Sequence, residues 1–166
     1  MNNIVFNVGV YIRLSHEDGD SKEESESITN QKSLLLQYVK ENNLSIYDIY
    51  IDDGYSGTNF NRPAFKKLLS DIENNNVNMV LTKDMSRLGR DYIETGNFIE
   101  KYFPSHNVRY VAITDNIDTF LDSSNNDIAP FKAIMNDMYA KDISKKIRSS
   151  LMAKKKEGKW VSGRVA

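Results

Sequence analysis

The hydrophobic positions of this chain alternate between two rhythms. Ile4–Leu14 reads as a buried strand, and Leu44–Ile51, Met79–Thr82 and Val108–Ile113 read as three more. Between them lie stretches with helical spacing. Ile28–Glu41 predicts a helix with Ser27 as its N-cap. In Pro63–Asn74, Phe65, Leu68, Leu69 and Ile72 recur at i, i+3, i+4 and i+7, and Pro63 suits a first turn. Asp91–Phe103 predicts a further helix. Strands that alternate with helices predict an α/β fold, with a largely parallel central sheet and helices on both faces.

From about Asp127 to Glu157 the pattern changes. Ile128, Phe131, Met135, Met138, Ile143, Ile147 and Leu151 recur at spacings of three to five, which predicts one long C-terminal helix. At 1.5 Å per residue it would be roughly 45 Å long. A domain of this size cannot cover that length, so part of its apolar face should meet another chain. The expected organisation is an α/β domain over 1–126, a long helix over 127–158, and the start of a linker over 159–166. The acidic, serine-rich stretch "HEDGDSKEESES" reads as a mobile surface segment.

Composition narrows the chemistry. There are 166 residues, two histidines (His16 and His106) and no cysteine. A disulfide framework and a thiolate metal site are therefore excluded, and a transition-metal centre finds few ligands. No apolar run approaches the roughly 20 residues that span a bilayer. The start "MNNIVFNVGV" lacks the basic n-region of a signal peptide, and cytoplasmic residence is expected. The net charge of −1 hides an asymmetry. Residues 1–140 hold 13 Lys/Arg and 21 Asp/Glu, whereas residues 141–166 hold 9 Lys/Arg and 2 Asp/Glu. A basic tail on an acidic body points to an anionic partner.

The arginines say which anion. In parallel α/β sheets ligands sit at the carboxyl ends of strands. Arg13 and Ser15 end the first strand. "DDGYSGTNFNRP" follows the second and carries Ser56 and Arg62. "TKDMSRLGRD" follows the third and carries Lys83, Asp84, Ser86, Arg87 and Arg90. Gln31 lies early in the first helix. Arg87 and Arg90 are three apart, so a helical turn would put both on one face. The glycines of D-G-Y-S-G suit a turn with positive φ. Four arginines converging beside a serine could bind a phosphodiester and its pentacoordinate transition state, because guanidinium forks fit phosphate oxygens.

The combination Y-x-R-x-S (Tyr11, Arg13, Ser15), D-x-G-x-S-G with N-R-P (from Asp52 or Asp53 to Arg62 and Pro63), and S-R-L-G-R (Ser86 to Arg90) resembles the serine recombinases, the resolvase–invertase family. The resemblance implies site-specific DNA recombination without ATP, metal or other cofactor. It makes Ser15 the nucleophile that attacks a DNA phosphate and becomes a 5′-phosphoserine. Arg13, Arg87 and Arg90 match the family's phosphate-binding arginines, Arg62 its R-P arginine, and Gln31 its active-site glutamine. It also implies double-stranded DNA as partner and a homodimer that becomes a tetramer on synapsis. On the long helix, Met135, Met138, Tyr139 and Ile143 would form the interface. Lys145, Lys146, Arg148, Lys154, Lys155 and Lys156 would contact DNA phosphates.

One departure stands out. Many relatives carry aspartate where this chain has Ser86, with Asp84 two residues earlier. Asp84 then either supplies the missing carboxylate to catalysis or caps and salt-bridges locally. Asp142 is a possible match to an acidic residue of the family's long helix, and His16 is expected to be incidental. Two rivals remain: a small-molecule phosphohydrolase, which would want a metal or a glycine-rich phosphate loop, and a non-catalytic dimerisation and DNA-binding module.

Overall fold

A computed structural model describes residues 5–14, 21–57, 60–120 and 129–158. Ser15, His16, Lys159, Trp160 and the proposed linker lie outside them. The side chains of Met138 and Asp142 are likewise outside what is described.

Five strands form one sheet in the order β2-β1-β3-β4-β5. They are β1 (Asn7–Arg13), β2 (Ser45–Asp52), β3 (Met79–Thr82), β4 (Arg109–Ala112) and β5 (Ile117–Asp118). The first four run parallel and β5 is antiparallel to β4. Side chains alternate across β1. Val8, Val10 and Ile12 face α1 (Ser21–Glu41), where they join Leu35, Val39, Met79, Leu81 and Val111 in one core. Gly9, Tyr11 and Arg13 point the other way, towards α2 (Pro63–Glu73). A Cβ on Gly9 would lie 2.7 Å from Leu68 Cδ1, and the ring of Tyr11 meets Phe65 edge-on at 5.4 Å. Helices therefore cover both faces, as the alternation of strands and helices predicted.

Three details differ from expectation. α1 begins at Ser21, so Ser27 lies inside the helix and is not its N-cap, and the segment from Ser21 to Ser27 is helical. The helix expected over Asp91–Phe103 forms without a break over 92–105, as α4 (Tyr92–Asn97), a π-helical turn (Phe98–Tyr102) and α5 (Phe103–Ser105), and the π turn is what the sequence did not announce. A further short helix, α3 (Met85–Leu88), follows β3. The chain divides into two compact units, 1–130 and 131–166. The long helix, Ala129–Lys156, is 28 residues and nearly matches the expected span.

Candidate active site

The connections place the site. From β1 the chain moves one strand outward to β2, then crosses back over β1 to β3 on its other side. The strand order reverses between β1 and β3, and such a reversal opens a crevice at the carboxyl ends of those strands. Arg13 is the last residue of β1, Asp52 the last of β2, and α3 follows β3 after two residues. Ser15 is the second residue beyond β1. The residue before it, Leu14, is buried and donates its N–H to the Asp52 carbonyl at 3.1 Å.

α3 is a single turn of four residues, and polar side chains hold both its ends. At the N-terminus Asp84 is the cap. Its Oδ1 accepts from the Arg87 N–H at 3.2 Å and from the Ser86 hydroxyl, and its Oδ2 lies 3.6 Å from Arg87 Nε. Asp115, beyond β4, accepts the Met85 N–H at 2.6 Å. At the C-terminus arginines take the free carbonyls. Arg13 donates Nη2 to the Ser86 carbonyl at 2.9 Å and Nε to that of Arg87 at 3.3 Å. Arg62 donates Nη1 to the Arg87 carbonyl at 3.5 Å and Nη2 to that of Leu88 at 2.6 Å. The tie is mutual, since Arg87 Nη1 donates to the Arg13 carbonyl at 3.2 Å. Asp84 thus has the capping and salt-bridging geometry that was one of its two sequence readings.

Arg13 and Arg62 are both fully buried. Burial, reinforced by the charges of Arg90, Arg62 and Arg87, lowers Arg13 to about 10. Burial also lowers Arg62, against the pull of Tyr11 and Asp52. A lysine could shed its proton in such a place, whereas a guanidinium stays charged. Arg62 is further boxed by rings, its guanidinium carbon 4.7 Å from the centre of Phe60 and 4.8 Å from that of Phe65. Arg87 and Arg90 keep partial access to solvent.

The expected helical face shared by Arg87 and Arg90 does not form. α3 stops at Leu88 and Gly89 is extended. Gly89 packs so closely on Phe60 and Thr95 that a Cβ there would collide with both. Arg90 instead joins the cluster through its backbone N–H, which donates to the Gly57 carbonyl at 2.7 Å. Gly57 is the point of closest approach. A Cβ there would lie 2.7 Å from Arg90 Cγ and 2.9 Å from Arg13 Nη2. Of the two glycines in D-G-Y-S-G, only Gly54 has positive φ, at 76°.

The structure therefore brings Arg13, Arg62, Arg87, Arg90 and Asp84 together. Gln31 is buried on α1, and among the described residues neither atom of its amide has a partner. Ser56 is exposed in the β2–α2 loop and Lys83 is partly buried at the end of β3. On the long helix Lys145, Lys146, Arg148, Lys154, Lys155 and Lys156 are exposed, as is Tyr139, while Met135 and Ile143 are partly buried.

Sequence reasoning missed two members. Asp52 was not separated from Asp53, yet Asp52 is buried and Asp53 exposed. The Asp52 carboxylate caps α2 by accepting from Ala64 N and Phe65 N, both at 2.9 Å. Tyr11 was part of a motif without a role; its hydroxyl donates to Asp52 Oδ2 at 2.9 Å and accepts from Arg62 Nη1 at 2.8 Å. The period of β2, with Tyr50 and Asp52 both inward, was the signal that could have found Asp52.

Known proteins resemble this chain in sequence and in fold. The family model described as Resolvase, N terminal domain matches residues 8–160. Over 67 residues the chain is 37% identical to the uncharacterized immunity region protein 3 of Bacillus phage phi105, covering 40% of this chain and 79% of that protein. Its fold is that of the N-terminal catalytic domain of TP901-1 integrase (TM-score 0.62, 24% identity, 84% of this chain and 96% of that one). The same holds for a resolvase-family site-specific recombinase from Streptococcus pneumoniae (TM-score 0.59, 23% identity, 92% and 95%). The C-terminal catalytic domain of ISC1926 TnpA, an IS607-like serine recombinase, aligns with TM-score 0.55 at 25% identity, over 64% of this chain and 67% of that one.

Proposed function

The chain belongs to the resolvase family of site-specific DNA recombinases, and on that footing we propose that it breaks and rejoins DNA through a 5′-phosphoserine on Ser15. The Ser15 oxygen attacks the phosphorus, the bond to the 3′ oxygen breaks, and the departing 3′ oxygen gains a proton as Ser15 loses one. Rejoining reverses this: a 3′-hydroxyl attacks the phosphoserine and Ser15 is released. The phosphodiester energy is conserved in the intermediate, so the cycle is balanced without ATP.

The observation that supports this reading most is the convergence of four arginines at one helical turn, one of which, Arg13, stands two residues before Ser15 in the chain. Arg87 and Arg90 have the exposure to meet a phosphate. Arg13, at the mouth of β1, would exchange a backbone carbonyl for a phosphate oxygen as DNA enters. Gln31, buried and with neither amide atom paired among the described residues, has both a donor and an acceptor to offer a ligand. Asp84 orients Arg87 and Ser86 in this scheme. Residues 1–126 carry the chemistry. The helix of 127–158 provides the oligomer contacts, with Met135, Met138, Tyr139 and Ile143 against a second copy. A homodimer would become a tetramer on synapsis. Lys145, Lys146, Arg148 and Lys154 to Lys156 would track the DNA backbone.

Ser15→Ala tests the proposal. The full-length variant, on a plasmid carrying the DNA that flanks its own gene, should keep DNA affinity and lose every covalent protein–DNA adduct. An adduct that survives the change overturns the assignment of the nucleophile.

A further inference from the structure

We infer that the ring of Tyr55 lies against the nucleotide that adjoins the cut phosphate, and so holds DNA in the arginine cluster through a contact that no arginine makes. The inference rests on the recombinase reading.

Tyr55 stands in the β2–α2 connection, and the cluster grips that connection by its backbone. Arg13 donates Nη1 to the Tyr55 carbonyl at 2.9 Å. Two residues on, the Gly57 carbonyl accepts the Arg90 N–H at 2.7 Å, and a Cβ on Gly57 would lie 2.9 Å from Arg13 Nη2. On the other side Gly54 turns the chain with φ of 76°. Asp52 then accepts the N–H of Leu14, the residue before Ser15. The backbone at Tyr55 is therefore fixed on the same guanidinium that the recombinase reading gives to the phosphate.

The side chain is held quite differently. Tyr11, Tyr50 and Tyr110 are buried, and each bonds its hydroxyl to another side chain. Tyr55 is 39% exposed, and among the described residues its ring stacks on no other ring and its hydroxyl has no hydrogen-bond partner. Among those residues it is also the one exposed aromatic side chain in the connections that follow β1, β2 and β3. Its exposed neighbours in the loop, Asp53 and Ser56, are polar, and Arg87 and Arg90 keep access to solvent. The core of a protein–protein interface is depleted of such charge. A nucleic acid satisfies both parts of the site, with phosphate oxygens for the forks and, beside each phosphate, a sugar and a base with a flat face for the ring. Nucleotides along one strand rise by about 3.4 Å, so a ring carried on the carbonyl that shares Arg13 with the phosphate falls beside the adjoining nucleotide.

The test uses the full-length protein and the same plasmid. Strand breaks made by the parental protein locate the cut, and they test the recombinase reading by themselves. The photoreactive residue p-benzoylphenylalanine is then placed at position 55 in a Ser15→Ala background, which keeps the DNA whole. Its crosslinks, mapped by primer extension, should fall on a nucleotide that adjoins the cut. The same group in place of Tyr47, 47% exposed in the amino half of β2, should give none there. Tyr55→Ala should raise the half-saturating DNA concentration about ten-fold, the scale of one aromatic–base contact. Tyr55→Phe and Tyr55→Trp, which keep a flat face, should bind as the parent does. Crosslinks that miss the cut, a Tyr55→Ala protein with parental half-saturation, or a Tyr55→Trp protein as weak as Tyr55→Ala would each overturn the inference while leaving the recombinase reading in place. A parental protein that makes no strand break would defeat that reading, and this inference with it.

Discussion

The basic residues of this chain fall into two populations. In the α/β unit Arg13 and Arg62 are fully buried; both reach backbone carbonyls of α3, Arg13 also donates to the Tyr55 carbonyl and Arg62 to the Tyr11 hydroxyl. Along the long helix Lys145, Lys146, Arg148 and Lys154 to Lys156 stand in solvent on a helix that also exposes Ile147 and Met152. The same charge does different work in the two places. A buried guanidinium is surrounded by groups that would be unsatisfied without it, so it acts as a structural tie. An exposed lysine is already hydrated, so it contributes mainly when it displaces counterions from a polyanion.

Removing a buried arginine should have the largest effect. Arg62→Leu leaves the carbonyl of Leu88 and the Tyr11–Asp52 pair without their cation, and strands a carboxylate that is 1% exposed. Breaking one side of a buried charged network costs about 3–5 kcal/mol. Urea unfolding of Arg62→Leu against the parent measures it; a loss below about 1 kcal/mol would mean that water or another group replaces the guanidinium. The helix should respond in the opposite way. Changing Lys154, Lys155 and Lys156 together to alanine should leave unfolding within about 0.5 kcal/mol of the parent. It should weaken DNA binding and flatten its dependence on salt, by about 0.9 in the log–log slope for each phosphate that is no longer neutralised. A salt slope equal to the parent's would remove these lysines from the DNA interface.

How much of this was legible beforehand follows the same division between local and tertiary determinants. β1 and β3 were legible because strands buried on both faces read as apolar runs, and the helical period of α2 was legible because Phe65, Leu68 and Ile72 all pack inward. The first two turns of α1 were not, because "SKEESES" has no apolar stripe, although acidic residues favour a helix N-terminus. β5 was invisible because two residues carry no period; it is held by pairing with β4 and by the two-pronged Arg109–Asp118 ion pair. That arginines would gather at strand ends could be read from their positions in the loops. Their division into buried ties and accessible groups could not, since it depends on where the carbonyls of residues 86–88 fall relative to β1. Gly89 is the clearest case: as sequence it permits a helix to run on to Arg90, and only the Phe60 and Thr95 side chains packed against it explain why the turn stops.

The two ends of α3 extend the contrast to a smaller effect. Arg62 ties its carbonyl end, whereas Asp115 takes an N–H at its other end from a partly exposed position. Burial, with the nearby charge of Asp84, raises the Asp115 carboxyl above the usual range, and the Met85 N–H only partly opposes this. Between the ordinary aspartate value of about 4 and the raised one, the folded chain keeps a proton that the unfolded chain has shed. The folded state binds more protons in that window, so this group makes stability fall as pH rises through it. Asp115→Asn keeps an oxygen that can accept the Met85 N–H and has nothing to titrate. The variant should lose that slope and gain a few tenths of a kcal/mol at neutral pH, since solvent screening at a partly exposed carboxylate keeps the effect small. Urea midpoints of parent and variant from pH 4 to pH 7 decide it. Identical slopes, or a variant less stable by more than about 1 kcal/mol, would show that the carboxylate's charge holds α3 as firmly as the guanidinium does at the other end.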